Sequence, residues 1–211
     1  PGSVTRDAPA FELDQPGIYY GETYEDAEYS IVNTEQDEID YQGEGEEAIK
    51  WVDSNTLNYY DQMLETAVTG DSADVQKLGL MDKLTVLTAR HRIPKEEALE
   101  MRGRDFFIYA IDKGMVGKSS VMNVEIGKVK VDGDSGNGQV IVNGREAPLF
   151  FDFSKENDLW KLDITSIFVA TNAGLKQMLA ENGTTDNEFI LQALEMLSGK
   201  PVRDDIWQPL K

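Results

Sequence analysis

The chain contains a single histidine, His91, and it lies between Arg90 and Arg92. An imidazole titrates near neutrality and can serve as a general base, and two guanidinium groups can grip a carboxylate or a phosphate. Each has a plainer use. A basic triplet in the last turn of a helix faces the negative end of the helix dipole, and the arginines have this chain's own many acids as partners. The plainer reading is preferred, so no catalytic, cofactor-binding or metal-binding residue is assigned. The stretch Asp132-Gly133-Asp134-Ser135-Gly136-Asn137-Gly138 has the opening spacing of a helix-loop-helix calcium site. Its twelfth position, where a bidentate Glu is needed, is Asn143, and its flanks read as strands. It is expected to be a hairpin loop. No cysteine is present, which removes disulfides, thiolate catalysis and zinc-thiolate sites together. No phosphate loop, nucleophile elbow or metal-ligand cluster is visible, and the balance is against an enzyme.

Composition sets the outer bounds. The 211 residues suit one domain with additions. With 40% hydrophobic and 28% charged residues the chain falls in the globular range. No apolar run approaches the roughly 20 residues that span a bilayer, so a soluble protein is expected. The net charge of −19 argues against nucleic acid and anionic lipid as partners and leaves basic or neutral ones. The opening Pro1-Gly2-Ser3, without an initiator Met, reads as a remnant of tag cleavage and cloning. A natural start further upstream, with a signal peptide or lipid anchor, is compatible with it, and the compartment stays open between cytoplasm and export. Residues 1–45 hold twelve acidic side chains against Arg6 alone, with Phe11, Tyr19, Tyr20, Tyr24, Tyr29 and Tyr41 among them. Like charges favour a solvated tail, whereas the aromatics favour an arm laid on the domain or on a neighbouring subunit.

Periodicity supplies the elements that would position these groups. From Glu46, Ile49, Val52, Thr56, Tyr60, Met63, Leu64 and Ala67 recur at helical spacing, and Gly70 is expected as a left-handed stop. Asp71 or Ser72 should cap a short helix, Ala73 to Leu78, followed by a helix from Leu80 to Arg92. Pro94 should open another, with its stripe running through Leu99 and Met101 to a break at Gly103. Phe106 to Ile111 read as a buried turn. Beyond Gly117 the period becomes two: Val124 and Ile126, then Val129 and Val131, with the phase shifted at Gly127-Lys128 as a bulge would shift it. Asn143-Gly144 suits a type I′ hairpin, Ala147 to Phe153 form the next strand with Pro148 at an edge or bulge, and Leu159 to Phe168 the last. Trp160, Leu162 and Ile164 then share a greasy face that the helices are expected to cover. Burying Trp160 there would contribute about 4–6 kcal/mol before entropy costs. Helices from Ala173 to Asn182 and from Thr185 to Leu197 close the chain.

Helices followed by a bent antiparallel sheet ending in the hairpin Lys155-Glu156-Asn157-Asp158-Leu159-Trp160-Lys161-Leu162-Asp163-Ile164 resemble the nuclear transport factor 2-like superfamily, as seen in many uncharacterised bacterial members. The likeness covers residues 46–168. It implies an α+β fold, with helices on a strongly curved, cone-like antiparallel sheet over residues 46–170. The acidic arm of residues 1–45 lies before it and a helical extension of residues 171–211 behind it. Isomerases of that superfamily use a cavity aspartate with a tyrosine donor. Tyr109, Asp112, Asp152 and Asp163 are of those types but match no motif, and Asp152 and Asp163 are expected on the solvent face opposite Phe151, Phe153 and Trp160. The resemblance favours a non-enzymatic protein-binding or self-associating module, whose partner is another protein or a second copy of the chain. The rivals are a carrier or isomerase holding a small apolar ligand in the cone, and an acidic immunity-type antagonist of a basic protein.

Overall fold

The computed structural model of the protein describes residues 44–115 and 124–211. The acidic arm, apart from Glu44 and Gly45, lies outside the described residues. The expected α+β class is observed: helices and a four-stranded antiparallel sheet that does not close on itself.

The helix expected from Glu46 is two helices, α1 (Glu44–Ala48) and α2 (Ser54–Thr69). The break has a local and a tertiary cause. The Asp53 carboxylate accepts the Thr56 N–H at 2.9 Å and so starts a new helix. Meanwhile Trp51 to Asp53 run beside the last strand: the Leu162 N–H donates to Trp51 O at 2.8 Å and the Asp53 N–H to Leu162 O at 3.0 Å. The apolar stripe survives the break, because Ile49, Val52, Tyr60, Leu64 and Ala67 are all buried. Gly70 is not left-handed. Its φ and ψ are −69° and 134°, and a Cβ there would lie 2.8 Å from Thr66 O, so the residue is needed for room.

Asp71 caps α3 (Ser72–Lys77) through a reciprocal box with Asp74. α4 (Leu80–Arg92) runs as expected. Its first turn lacks a side-chain cap of its own and borrows Asn172, whose Oδ1 accepts the Met81 N–H at 2.8 Å. α5 (Lys95–Glu100) is only six residues long and turns Ala98 inward, which leaves Leu99 exposed, contrary to the expected stripe. Gly103 does not simply break a helix. It begins α6 (Gly103–Asp112), and its N–H meets the Asp61 carboxylate. Tyr60 stacks edge-to-face on Phe106 and Phe107, with ring centroids 5.3 and 5.2 Å apart.

The strands are β1 (Val124–Asp132), β2 (Ser135–Val142), β3 (Arg145–Glu156) and β4 (Leu159–Asp163), paired in chain order. Asn143 and Gly144 have φ of 51° and 71°, as the type I′ turn requires. The register of β1 against β2 shifts between Ile126 and Val129, where the bulge was expected. Pro148 falls within a second irregular stretch, between the Gln139↔Phe150 and Ile141↔Glu146 pairs. The Asp132–Gly138 stretch is only in part a loop. Gly133 and Asp134 make the turn, and Ser135 to Gly138 pair as strand with both neighbours. The last strand stops at Asp163, because its carboxylate accepts the Thr165 N–H at 2.8 Å and bends the chain into a 3₁₀ turn, Ile164–Ile167. There follow α7 (Phe168–Asn182) and α8 (Asp186–Ser198). Gly183 and Gly199 end them in left-handed conformation, at φ 66° and 65°, and the Thr185–Glu188 capping box forms as expected.

The core is helical. α2, α4, α6 and α8 bury Leu64, Leu87, Phe106, Phe107, Ile190 and Leu194 together, and the C-terminal segment adds Ile206 and Leu210. The sheet joins this body along β4 and the N-terminus of α2. There the Glu156 carboxylate accepts the Ser54 N–H at 2.9 Å and its hydroxyl at 2.6 Å. The helices therefore do not seal the sheet's greasy face. Ile164 leaves the sheet and packs on the helical core, while Trp160 stays half-buried outside it, so the full burial of Trp160 read from the sequence is not realised. Among the described residues no helix is long and apolar enough to cross a membrane.

Candidate functional site

The pairing register assigns every strand residue to one of two faces. Val131, Gly136, Phe153 and Leu162 fall in one row, and Val129, Gly138 and Phe151 in the next. This is the apolar face, and it is covered from within. A Cβ on Gly136 would lie 3.5 Å from Trp160 Cζ3, and one on Gly138 would lie 3.0 Å from Phe153 Cε2. The two rings thus rest on strand backbone that carries no side chain. That cover stops short of β1, where Val129 is 41% and Val131 62% exposed.

The opposite face is polar. One row across the four strands is Lys130, Asn137, Asp152 and Asp163. The Asn137 amide donates to Asp152 Oδ1 at 2.6 Å, Asn55 donates to Asp163 Oδ2 at 3.5 Å, and the Ser154 hydroxyl donates to the buried Asp53 at 3.4 Å. Between α2 and this face lies an open groove of about 480 Å³. It is open and its residues are mostly polar or charged, unlike the closed apolar pocket that a small apolar ligand would need. Three of its carboxylates are engaged: Asp53 caps α2, Asp163 caps the 3₁₀ turn and Asp152 accepts the Asn137 amide. Among the described residues no group of three His, Asp or Glu side chains could hold a metal ion.

The basic triplet does not converge on a site. Arg90 is 2% exposed, and its guanidinium donates to Ala67 O at 2.9 Å, Ile206 O at 3.3 Å, Thr66 O at 3.1 Å and Gly70 O at 2.5 Å. The partners are carbonyls at the C-terminal end of α2 and in the C-terminal segment, not the acids expected from the sequence. Burial pulls its pKa below the ordinary arginine value. Arg92 donates to Lys113 O at 2.9 Å. His91 Nε2 lies 2.7 Å from Ser198 Oγ, while its buried Nδ1 has no hydrogen-bond partner. A nucleophile–base pair would need an orienting acceptor at that second nitrogen, and the Ser198 hydroxyl is already shared with the backbone of Lys200. The pair ties α8 to α4. Burial first, then the charges of Arg92, Arg203 and Lys200, hold the His91 pKa below its usual value, against a smaller opposing effect of Glu195.

The isomerase-type residues are scattered. The Tyr109 hydroxyl donates to Arg92 O at 2.9 Å, and Asp112 accepts the Gly45 N–H at 2.8 Å. Both lie on α6, whereas Asp152 and Asp163 are cross-strand partners on the polar face, as read from the alternation. Ser198 and Asp53 went unnoticed in the sequence, and Asn137 was read only as part of a hairpin loop. Asp53 had a signal, since Asp-Ser-Asn is capping chemistry in the middle of an apparent helix; Ser198 had none. Comparison of the chain with protein-family models, with curated proteins and with solved structures finds no match to any of them.

Proposed function

We propose that the chain is a non-enzymatic binding module of nuclear transport factor 2-like fold, acting on a protein partner or on itself through the β1 end of the sheet's apolar face. Kinship with that superfamily is supported by the order of elements, helices before an antiparallel meander that ends in the Trp160 hairpin, and a cone-like curvature of the sheet goes with that kinship. The observation that carries the function is the exposure of Val129 and Val131, at 41% and 62%, next to the half-buried Phe153 and Trp160. A continuous apolar patch left open in this way marks an interaction surface. The engagement of Arg90, Asp53, Tyr109 and Asp163 in caps and backbone bonds supports the same reading, because side chains that hold the fold together are not free for chemistry.

The test is association measured with the wild type and with Val131→Glu, both by sedimentation equilibrium and by recovery of bound proteins from a lysate. The expected result is loss of the associated species on Val131→Glu with an unchanged urea midpoint, since the residue lies outside the core. Association equal in both proteins, or absent from both, would overturn the reading.

A further inference from the structure

We infer that the partner is a second copy of this chain, joined edge to edge through β1; this rests on the reading of the sheet's β1 end as a docking surface. Among the described residues β1 is an outer strand, with β2 on one side and no strand on the other. An outer strand presents N–H and C=O groups that a further strand can pair with.

The sequence of β1 is self-complementary once its bulge is counted. The strand reads Val124-Glu125-Ile126-Gly127-Lys128-Val129-Lys130-Val131-Asp132. In a regular strand, a two-fold axis between two residues would set residues from opposite faces against one another. The bulge removes that obstacle. Ile126 pairs with Val140 and Val129 with Gly138, so residues on either side of Gly127-Lys128 return to the same face despite their odd spacing. Val124, Ile126, Val129 and Val131 therefore share the apolar face, and Glu125 and Lys130 the polar one.

An antiparallel pairing about an axis between Gly127 and Lys128 then sets Val124 against Val131 of the second copy, Ile126 against Val129, and Glu125 against Lys130. Each pair occurs twice by symmetry, as an isologous contact requires. Apolar residues meet apolar residues, and opposite charges face each other, which is the favourable cross-strand arrangement. Exposed Lys128 lies across from Gly127, where no side chain competes for space. Other registers lose this match. Sliding by two residues brings Glu125 against Asp132, centring on Gly127 or Lys128 sets the apolar face of one copy against the polar face of the other, and centring on Glu125 or Lys130 sets that charge against itself. The product is one continuous sheet through two copies, with Val129 and Val131 covered by Ile126 and Val124 of the second copy.

Cysteine cross-linking of the full chain tests the register, and the native sequence contains no cysteine to interfere. Directly opposed residues have Cα atoms about 4.5–5.5 Å apart, within disulfide reach. The variant V124C/V131C is expected to form a covalent dimer on mild oxidation. V124C alone and V131C alone should not, because in this register each thiol lies about 20 Å along the strand from its own counterpart. An equimolar mixture of the two single variants should cross-link. Glu125→Lys and Lys130→Glu should each weaken the dimer several-fold in sedimentation equilibrium, and mixing them should restore it. Cross-linking of either single variant by itself, or a dimer indifferent to the charge reversals, would overturn the register. A strictly monomeric wild type would overturn the inference, and the docking reading would still stand if the same protein recovered another partner in a Val131-dependent way.

Discussion

Arg90→Ala removes a cation that holds two parts of the chain together. The guanidinium reaches the carbonyls of Thr66, Ala67 and Gly70, where α2 ends, and that of Ile206 in the C-terminal segment. Two of the four keep a backbone donor without it, since Gly70 N–H donates to Thr66 O and Leu210 N–H to Ala67 O. Gly70 O and Ile206 O lose the arginine, at a cost of about 1–3 kcal/mol for each buried acceptor left unmet. Loss of a positive charge at the negative end of α2 adds about 0.3–1 kcal/mol. Against this, the protein no longer has to desolvate a guanidinium, the penalty that depresses the Arg90 pKa. The net expectation is a loss of about 3 kcal/mol, which for a chain of this size lowers the melting temperature by about 6–12 °C. Arg90→Lys should fall between, because an ammonium cannot span the four acceptors as the planar fork does. The assay is urea unfolding followed by tryptophan emission, with Trp207 adjacent to Ile206 as a local reporter. A loss below about 1 kcal/mol at an unchanged m-value, or full rescue by lysine, would refute the assignment of Arg90 as the link between α2 and the C-terminal segment.

Stability should decline as pH falls below about 6.5, the ordinary histidine value. The fold holds His91 below that value, so the unfolded chain binds the extra proton first; urea midpoints between pH 8 and pH 5 should show the slope, and His91→Gln should flatten it. At lower pH a second loss is expected from Glu156, whose carboxyl is held below its usual value by the Ser54 hydrogen bonds. Glu156→Ala should cost about 1 kcal/mol and raise hydrogen exchange at the β4–α2 junction more than in α4 and α8. Gly138→Ala should destabilise by about 1–3 kcal/mol in thermal unfolding, because the new methyl would lie 2.8 Å from Ile126 Cγ2 and 3.0 Å from Phe153 Cε2.

Local chemistry was legible wherever a short stretch carried its own instruction. Asn143-Gly144 accepts the positive φ that a two-residue hairpin imposes, Thr185 and Glu188 close a box across a single turn, and Gly127-Lys128 shifted the alternation in the sequence as it shifts the register in the sheet. The helix running through Asp53 was misread because the apolar spacing continues across the break. Periodicity cannot register that Val52 pairs with Leu162, far along the chain. Likewise the glycines at 136 and 138 read as loop residues, since nothing nearby in the chain announces the rings that rest on them.

The α+β order, the hairpin turns, the capping boxes of α3 and α8 and the division of β1 into an apolar and a polar face could be read from the chain alone, because each depends on contacts within a few residues. Packing of distant segments set the rest: Arg90 binds carbonyls instead of acids, His91 meets Ser198, and the apolar face of the sheet lies on its own glycines and not under the helices. Those outcomes depend on which distant backbone groups arrive unsatisfied beside which side chains, and a one-dimensional pattern holds no record of that.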